Sequence, residues 1–129
     1  IRPWQHVLDP LNGYLTLAQK MVEAPIARAT GYNFGPEPED EQTVIDMVKL
    51  AIDYWGAGSY ETPTIQDKPH EAGLLKLAID KAKSELSWKP RFDSSKAVEW
   101  TMDWYKNGRA NALDFTSKQI DIFFGDEII

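Results

Sequence analysis

Arg2 is the first side chain in the sequence with the means to hold a ligand. Its guanidinium stands beside the fixed backbone of Pro3, and its planar fork of N–H donors can take a diphosphate through parallel hydrogen bonds. A solvated arginine near a chain end is the plainer alternative. Trp4 can line such a site or simply bury apolar area, as most tryptophans do. His6, on a segment that can face inward, is more often a satisfied structural histidine than a catalytic one. His70 and Glu71 form a second candidate pair; as surface groups they would make ion pairs with Lys68 or Lys76 worth under about 1 kcal/mol.

Other chemistries find little support. The two histidines are far apart and there is no cysteine, so a zinc site is not expected. Glu37, Glu39, Asp40 and Glu41 lack the glycine and spacing of a calcium loop and read as a solvated loop. A net charge of −6, with Lys and Arg scattered among acidic neighbours, argues against a nucleic-acid partner. One phosphorylated small molecule remains compatible, because it needs only one or two well-placed cations. The absence of cysteine excludes disulfides and thiolate chemistry and fits a reducing compartment. No apolar run is long enough for a signal peptide or a membrane span, and the expected location is the cytoplasm.

The elements that must position these groups follow from periodicity and stop signals. Residues Arg2 to Leu8 read as extended, and Asp9-Pro10 as a cap followed by proline at the first helical position. The helix beyond them should bury Leu11, Tyr14, Leu15, Ala18, Met21 and Val22, and end at Pro25. Residues 27–34 have the length of a strand. Thr43 should cap a helix that buries Val44, Val48, Ala51, Ile52 and Trp55 and stops at Gly56. Weak and clear strand candidates follow at 58–64 and 74–78. Asp80 should cap a short helix that buries Ala82 and Leu86 with Ile79 and ends at Trp88 and Pro90. Asp93 or Ser94 should cap another, with Ala97, Val98, Thr101, Met102 and Tyr105 inward. After a loop at 109–115, Thr116 and Gln119 have the capping-box spacing for a last helix to about Phe124, and 126–129 should fray. The expected class is α/β, mixed and helix-rich.

Leu77 to Pro90 reads L-A-I-D-K-A-K-S-E-L-S-W-K-P. It resembles the L-D-x-x-K-A-x-x-x-L-G-W-x-P signature of extended short-chain dehydrogenase/reductases that act on nucleotide sugars. Arg2-Pro3-Trp4-Gln5-His6-Val7, Tyr32-Asn33-Phe34-Gly35-Pro36, His70-Glu71-Ala72 and Trp104-Tyr105-Lys106 are similar to one branch, the CDP-glucose 4,6-dehydratases, so the resemblance covers nearly the whole chain. Two positions depart from the pattern. Ala78 replaces an Asp, and Ser87 replaces a Gly that normally takes a left-handed conformation, which would cost on the order of 1 kcal/mol.

The resemblance implies that residues 1–129 are one C-terminal, substrate-binding piece of a longer enzyme, with 1–35 at the edge of a Rossmann cofactor domain lying mostly outside this chain. It implies contacts to a nucleotide sugar, CDP-glucose, from Arg2, Trp4, Gln5, His6, His70 and Glu71. Arg2 would sit at the diphosphate. His70 would donate near the phosphates or ribose, with Glu71 as hydroxyl acceptor or as partner to His70. The complete enzyme would use NAD to take hydride from the sugar C4, lose water across C5 and C6, and return hydride to C6. This piece would hold no NAD and supply no catalytic residue. Gly56-Ala57-Gly58 lacks the third glycine of a dinucleotide loop, and no tyrosine is followed four residues later by lysine. It should be inactive alone, come from a homo-oligomer, and self-associate through the unpaired strand 27–34. Two rivals remain: a UDP- or dTDP-sugar epimerase, dehydratase or decarboxylase of the same family, and a non-catalytic helical interaction domain.

Overall fold

The computed structural model describes residues 1–63 and 73–125, and within them six α-helices carry the packing. They are α1 (Leu8–Glu23), α2 (Pro25–Arg28), α3 (Val44–Trp55), α4 (Asp80–Leu86), α5 (Ser94–Asp103) and α6 (Ala112–Phe124). Pro25 ends α1, since it has no N–H to continue the ladder, and then opens α2 at a position where that N–H is not needed. At α3 the Thr43 hydroxyl accepts from the Asp46 N–H while the Asp46 carboxylate accepts from the Thr43 N–H. Gly56, at φ 85°, closes that helix. Asp93 caps α5 by accepting from the Lys96 N–H at 2.8 Å. Ser87 ends α4 in the left-handed conformation, at φ 55°, so the serine does carry the geometry usually given to glycine.

α3 lies along α5, α1 touches α2 and α4, and α6 folds back through a π-turn (Trp104–Gly108) and a 3-10 turn (Arg109–Asn111). One core gathers Ile79, Ala82, Leu86, Trp88 and Phe34, with Leu17, Tyr32 and Leu77 at its edge. The apolar face expected for α4 is thus the one buried, although Asp80 is its first residue and not its cap. A second cluster joins His6, Phe92, Trp100 and Phe123 edge to face.

Several expectations are corrected. No strand occurs among the described residues, so the mixed α/β class is not realised in them; the chain is helical with an isolated antiparallel bridge between Arg2 and Gln42. Residues 27–34 begin in α2 and continue irregularly, which removes the edge through which self-association was expected. Residues 58–63 and 74–78 are not strands either, because a strand needs a ladder partner and neither segment has one beyond single bonds. α1 exposes Leu11, Tyr14, Leu15 and Val22, and buries Leu8, Asp9 and Gly13. Tyr105 is exposed because the π-turn rotates it off the face of α5.

Asp9 is not a cap. It lies inside the first turn of α1, fully buried, and its carboxylate accepts from the N–H groups of Arg91 at 2.7 Å and Phe92 at 3.4 Å. Thr116 is likewise mid-helix, since α6 starts at Ala112. Its hydroxyl accepts from the Trp104 indole, and Gln119 donates to the Trp100 carbonyl, so both polar groups serve tertiary contacts rather than a local cap. Gly13 has a steric reason: a Cβ there would stand 2.4 Å from a Phe34 ring carbon. Among the described residues no helix is long and apolar enough to cross a membrane.

Candidate functional site

Arg2 is held where three backbone segments meet. It bridges Gln42, while the neighbouring Ile1 carbonyl accepts from the Leu75 N–H at 3.2 Å and the Ile1 ammonium donates to the Gly73 carbonyl at 3.1 Å. The guanidinium donates to the Ile1 carbonyl at 2.9 Å. Its side chain lines a cleft of about 300 Å³, together with Pro36, Glu37, Glu41, Lys76 and Asp80, a size at the lower end for small-molecule sites. Two of the three carboxylates are paired: Glu41 with Lys76 at 2.5 Å and Glu37 with Lys83 at 2.8 Å. The bond from Glu37 pushes the Lys83 ammonium pKa upward.

Trp4 and Gln5 face elsewhere. An extended chain would put residues 2 and 4 on one side, but the Trp4 N–H bonds the Arg2 carbonyl at 2.9 Å, a tight turn that breaks the alternation. Trp4 therefore lines a separate apolar cleft of about 360 Å³ between α3 and α5, with Val48, Ala51, Val98 and Met102. Gln5 donates to the Phe34 carbonyl at 2.9 Å and ties this segment to the first core. The Trp4 indole nitrogen and the Gln5 carbonyl oxygen are buried without partners among the described residues.

His6 is interior. Its Nδ1 accepts from the Leu8 N–H at 3.3 Å, and the ring meets Phe92 and Trp100 at 5.5 and 5.9 Å. Burial lowers its pKa, so the neutral form is favoured. The geometry is that of a structural histidine. Of the candidates Arg2, Trp4, Gln5 and His6, Arg2 alone lines the first cleft, and His70 and Glu71 lie outside the described residues. The sequence reading missed Glu41, which was folded into a solvated acidic loop, and Lys76, which was assigned to the pair at 70–71. Their pairing has no local signal.

Tyr32 is not set up as a base. Tyr32 donates to Glu85 at 2.6 Å, and this bond pushes the phenol pKa up, opposite to what proton abstraction requires. Among the described residues, no group of three His, Asp or Glu side chains could hold a metal ion.

Comparison with known proteins gives the remaining evidence. The chain is 39% identical over 106 residues to the CDP-glucose 4,6-dehydratase of Salmonella typhimurium, covering 82% of this chain and 30% of that enzyme. The chain is thus similar to one part of a nucleotide-sugar dehydratase. It is also 28% identical over 110 residues to a dTDP-glucose 4,6-dehydratase of Streptomyces antibioticus, covering 85% of this chain and 31% of that one. With UDP-glucose 4-epimerase 3 of Oryza sativa subsp. japonica it shares 26% identity over 106 residues, 82% of this chain and 28% of the epimerase. The chain spans less than one third of each of these relatives. No family model matches it.

Proposed function

We propose that this chain is the nucleotide-sugar-binding part of a CDP-glucose 4,6-dehydratase-type enzyme, with the NAD-binding and catalytic groups supplied by other residues of that enzyme. The observation that carries the reading is the 39% identity to a CDP-glucose 4,6-dehydratase across 82% of the chain. Arg2 in its cleft gives that reading a diphosphate ligand, and its contribution is positioning rather than bond-making. The uncovered face of α1 supports a larger enzyme: Val22 is 85% exposed and Ile26 just beyond it 94%, apolar surface that the remainder of the enzyme would cover. The second reading, a UDP- or dTDP-sugar enzyme, is favoured by the two weaker matches.

Calorimetric titration of the chain with CDP-glucose, UDP-glucose and dTDP-glucose tests both. The expected order has CDP-glucose tightest, with Arg2→Ala weakening all three. Tighter binding of UDP- or dTDP-glucose would move the assignment to the second reading, and binding of none would reject a nucleotide-sugar site in this chain.

A further inference from the structure

We propose that Lys76 is a phosphate ligand of the Arg2 cleft, held in its unliganded position by Glu41. The inference deepens the nucleotide-sugar reading and rests on it. Among the described residues, Arg2 and Lys76 are the cationic side chains on the cleft wall, against the carboxylates Glu37, Glu41 and Asp80. A nucleoside diphosphate brings more negative charge still, so one guanidinium leaves the site with an unfavourable balance. Lys83, bonded to both oxygens of Glu37, does not line the cleft.

Lys76 can correct that balance. Its neighbour Leu75 is hydrogen-bonded to Ile1, and Arg2 bridges Gln42, so both cations sit on mutually bonded segments around one cleft. The ammonium is on a flexible stem with three donors, and its side chain is 50% exposed, against 20% for Glu41. An ion pair this open to water contributes little, so exchanging one carboxylate for a diphosphate loses little and gains charge-assisted hydrogen bonds. Glu41 then acts as a competitor for Lys76. A phosphate displaces it, whereas a neutral ligand does not.

The test is calorimetry with CDP-glucose, CDP and cytidine on the wild-type chain and on Lys76→Met, Glu41→Gln and Arg2→Ala. Lys76→Met should weaken CDP-glucose and CDP at least about tenfold and leave cytidine binding unchanged. Glu41→Gln should tighten CDP by roughly threefold or more by removing the competing charge, and the gain should vanish in the double variant with Lys76→Met. If Arg2→Ala weakens CDP while Lys76→Met does not, the assignment of Lys76 falls and the nucleotide-sugar reading stands. An equal loss for cytidine in Lys76→Met would also overturn it, as a structural effect. A wild-type chain that binds none of the three overturns both.

Discussion

Phe34 meets Trp88 edge-on at 4.9 Å over Ile79, Ala82 and Leu86, in a core of apolar contacts, whereas the cluster of His6, Phe92, Trp100 and Phe123 is cross-linked by polar groups, one of them the buried Asp9. In the second cluster Asp9 accepts from two backbone N–H groups, and the Arg91 guanidinium donates to the Phe123 carbonyl at 2.6 Å while lying 5.0 Å from the Phe123 ring centre. The first cluster is limited by volume, since Gly13 is what lets the Phe34 ring approach α1. The second is limited by electrostatics, because a buried carboxylate persists only while its donors stay in place. One chain thus uses two ways of holding aromatic rings, and they should fail under different perturbations.

The largest effect is expected from Asp9→Ala, which leaves the N–H groups of Arg91 and Phe92 without their acceptor; urea unfolding should show a loss of about 3 kcal/mol. A loss below about 1 kcal/mol would mean that water replaces the carboxylate and that the second cluster does not depend on it. Gly13→Ala comes next. In an isolated helix it would gain about 1 kcal/mol, but here the new methyl meets Phe34, and a net loss of about 1–3 kcal/mol is expected. Phe34→Leu in the Gly13→Ala background should recover part of that loss. Without recovery, the volume account of the first cluster fails.

Ser87→Gly should raise stability by about 1 kcal/mol, since the serine is exposed and pays only for its left-handed backbone. An unchanged midpoint would show that the serine makes up this cost by other means. The smallest effect is a pH slope from His6. Its folded pKa lies below 6.5, so the unfolded chain takes up the proton first and stability should decline as pH falls through 6.5 toward the folded value. Asp9 has the opposite sign, because burial raises its carboxyl above 3.8 and its protonated form favours the fold; that contribution is lost as pH rises through the folded value. Comparing stability–pH curves of wild type and His6→Phe isolates the histidine, and parallel curves between pH 7.5 and about 5.5 would remove it as a source of the slope.

Local signals were legible. Thr43, Gly56, Pro25, Asp93 and the Ile79–Ala82–Leu86 face all act where their types and spacing imply. The left-handed Ser87 was not readable from its residue type, since a serine there departs from the glycine of the resembling signature and still takes that geometry. The strand expectations were not met, because a short apolar run has no intrinsic ladder and turns into irregular chain when no partner lies beside it. The face of α1 was misjudged for a related reason: periodicity marks an apolar stripe without saying what covers it. Of the candidate site, Arg2 was readable from its type and the proline beside it, but its separation from Trp4 depends on one tight backbone bond.

By itself, then, the sequence determined where helices start and stop and which residues could carry charge to a ligand, because caps, prolines and left-handed positions act within about one helical turn. Only the tertiary structure decided that Asp9 serves Arg91, 82 residues away, that Gly13 makes room for Phe34, and that Lys76 meets Glu41 across the Arg2 cleft. Those pairings are set by how the helices and the segments between them pack, and no local pattern encodes the distance between groups that meet only after the chain has folded.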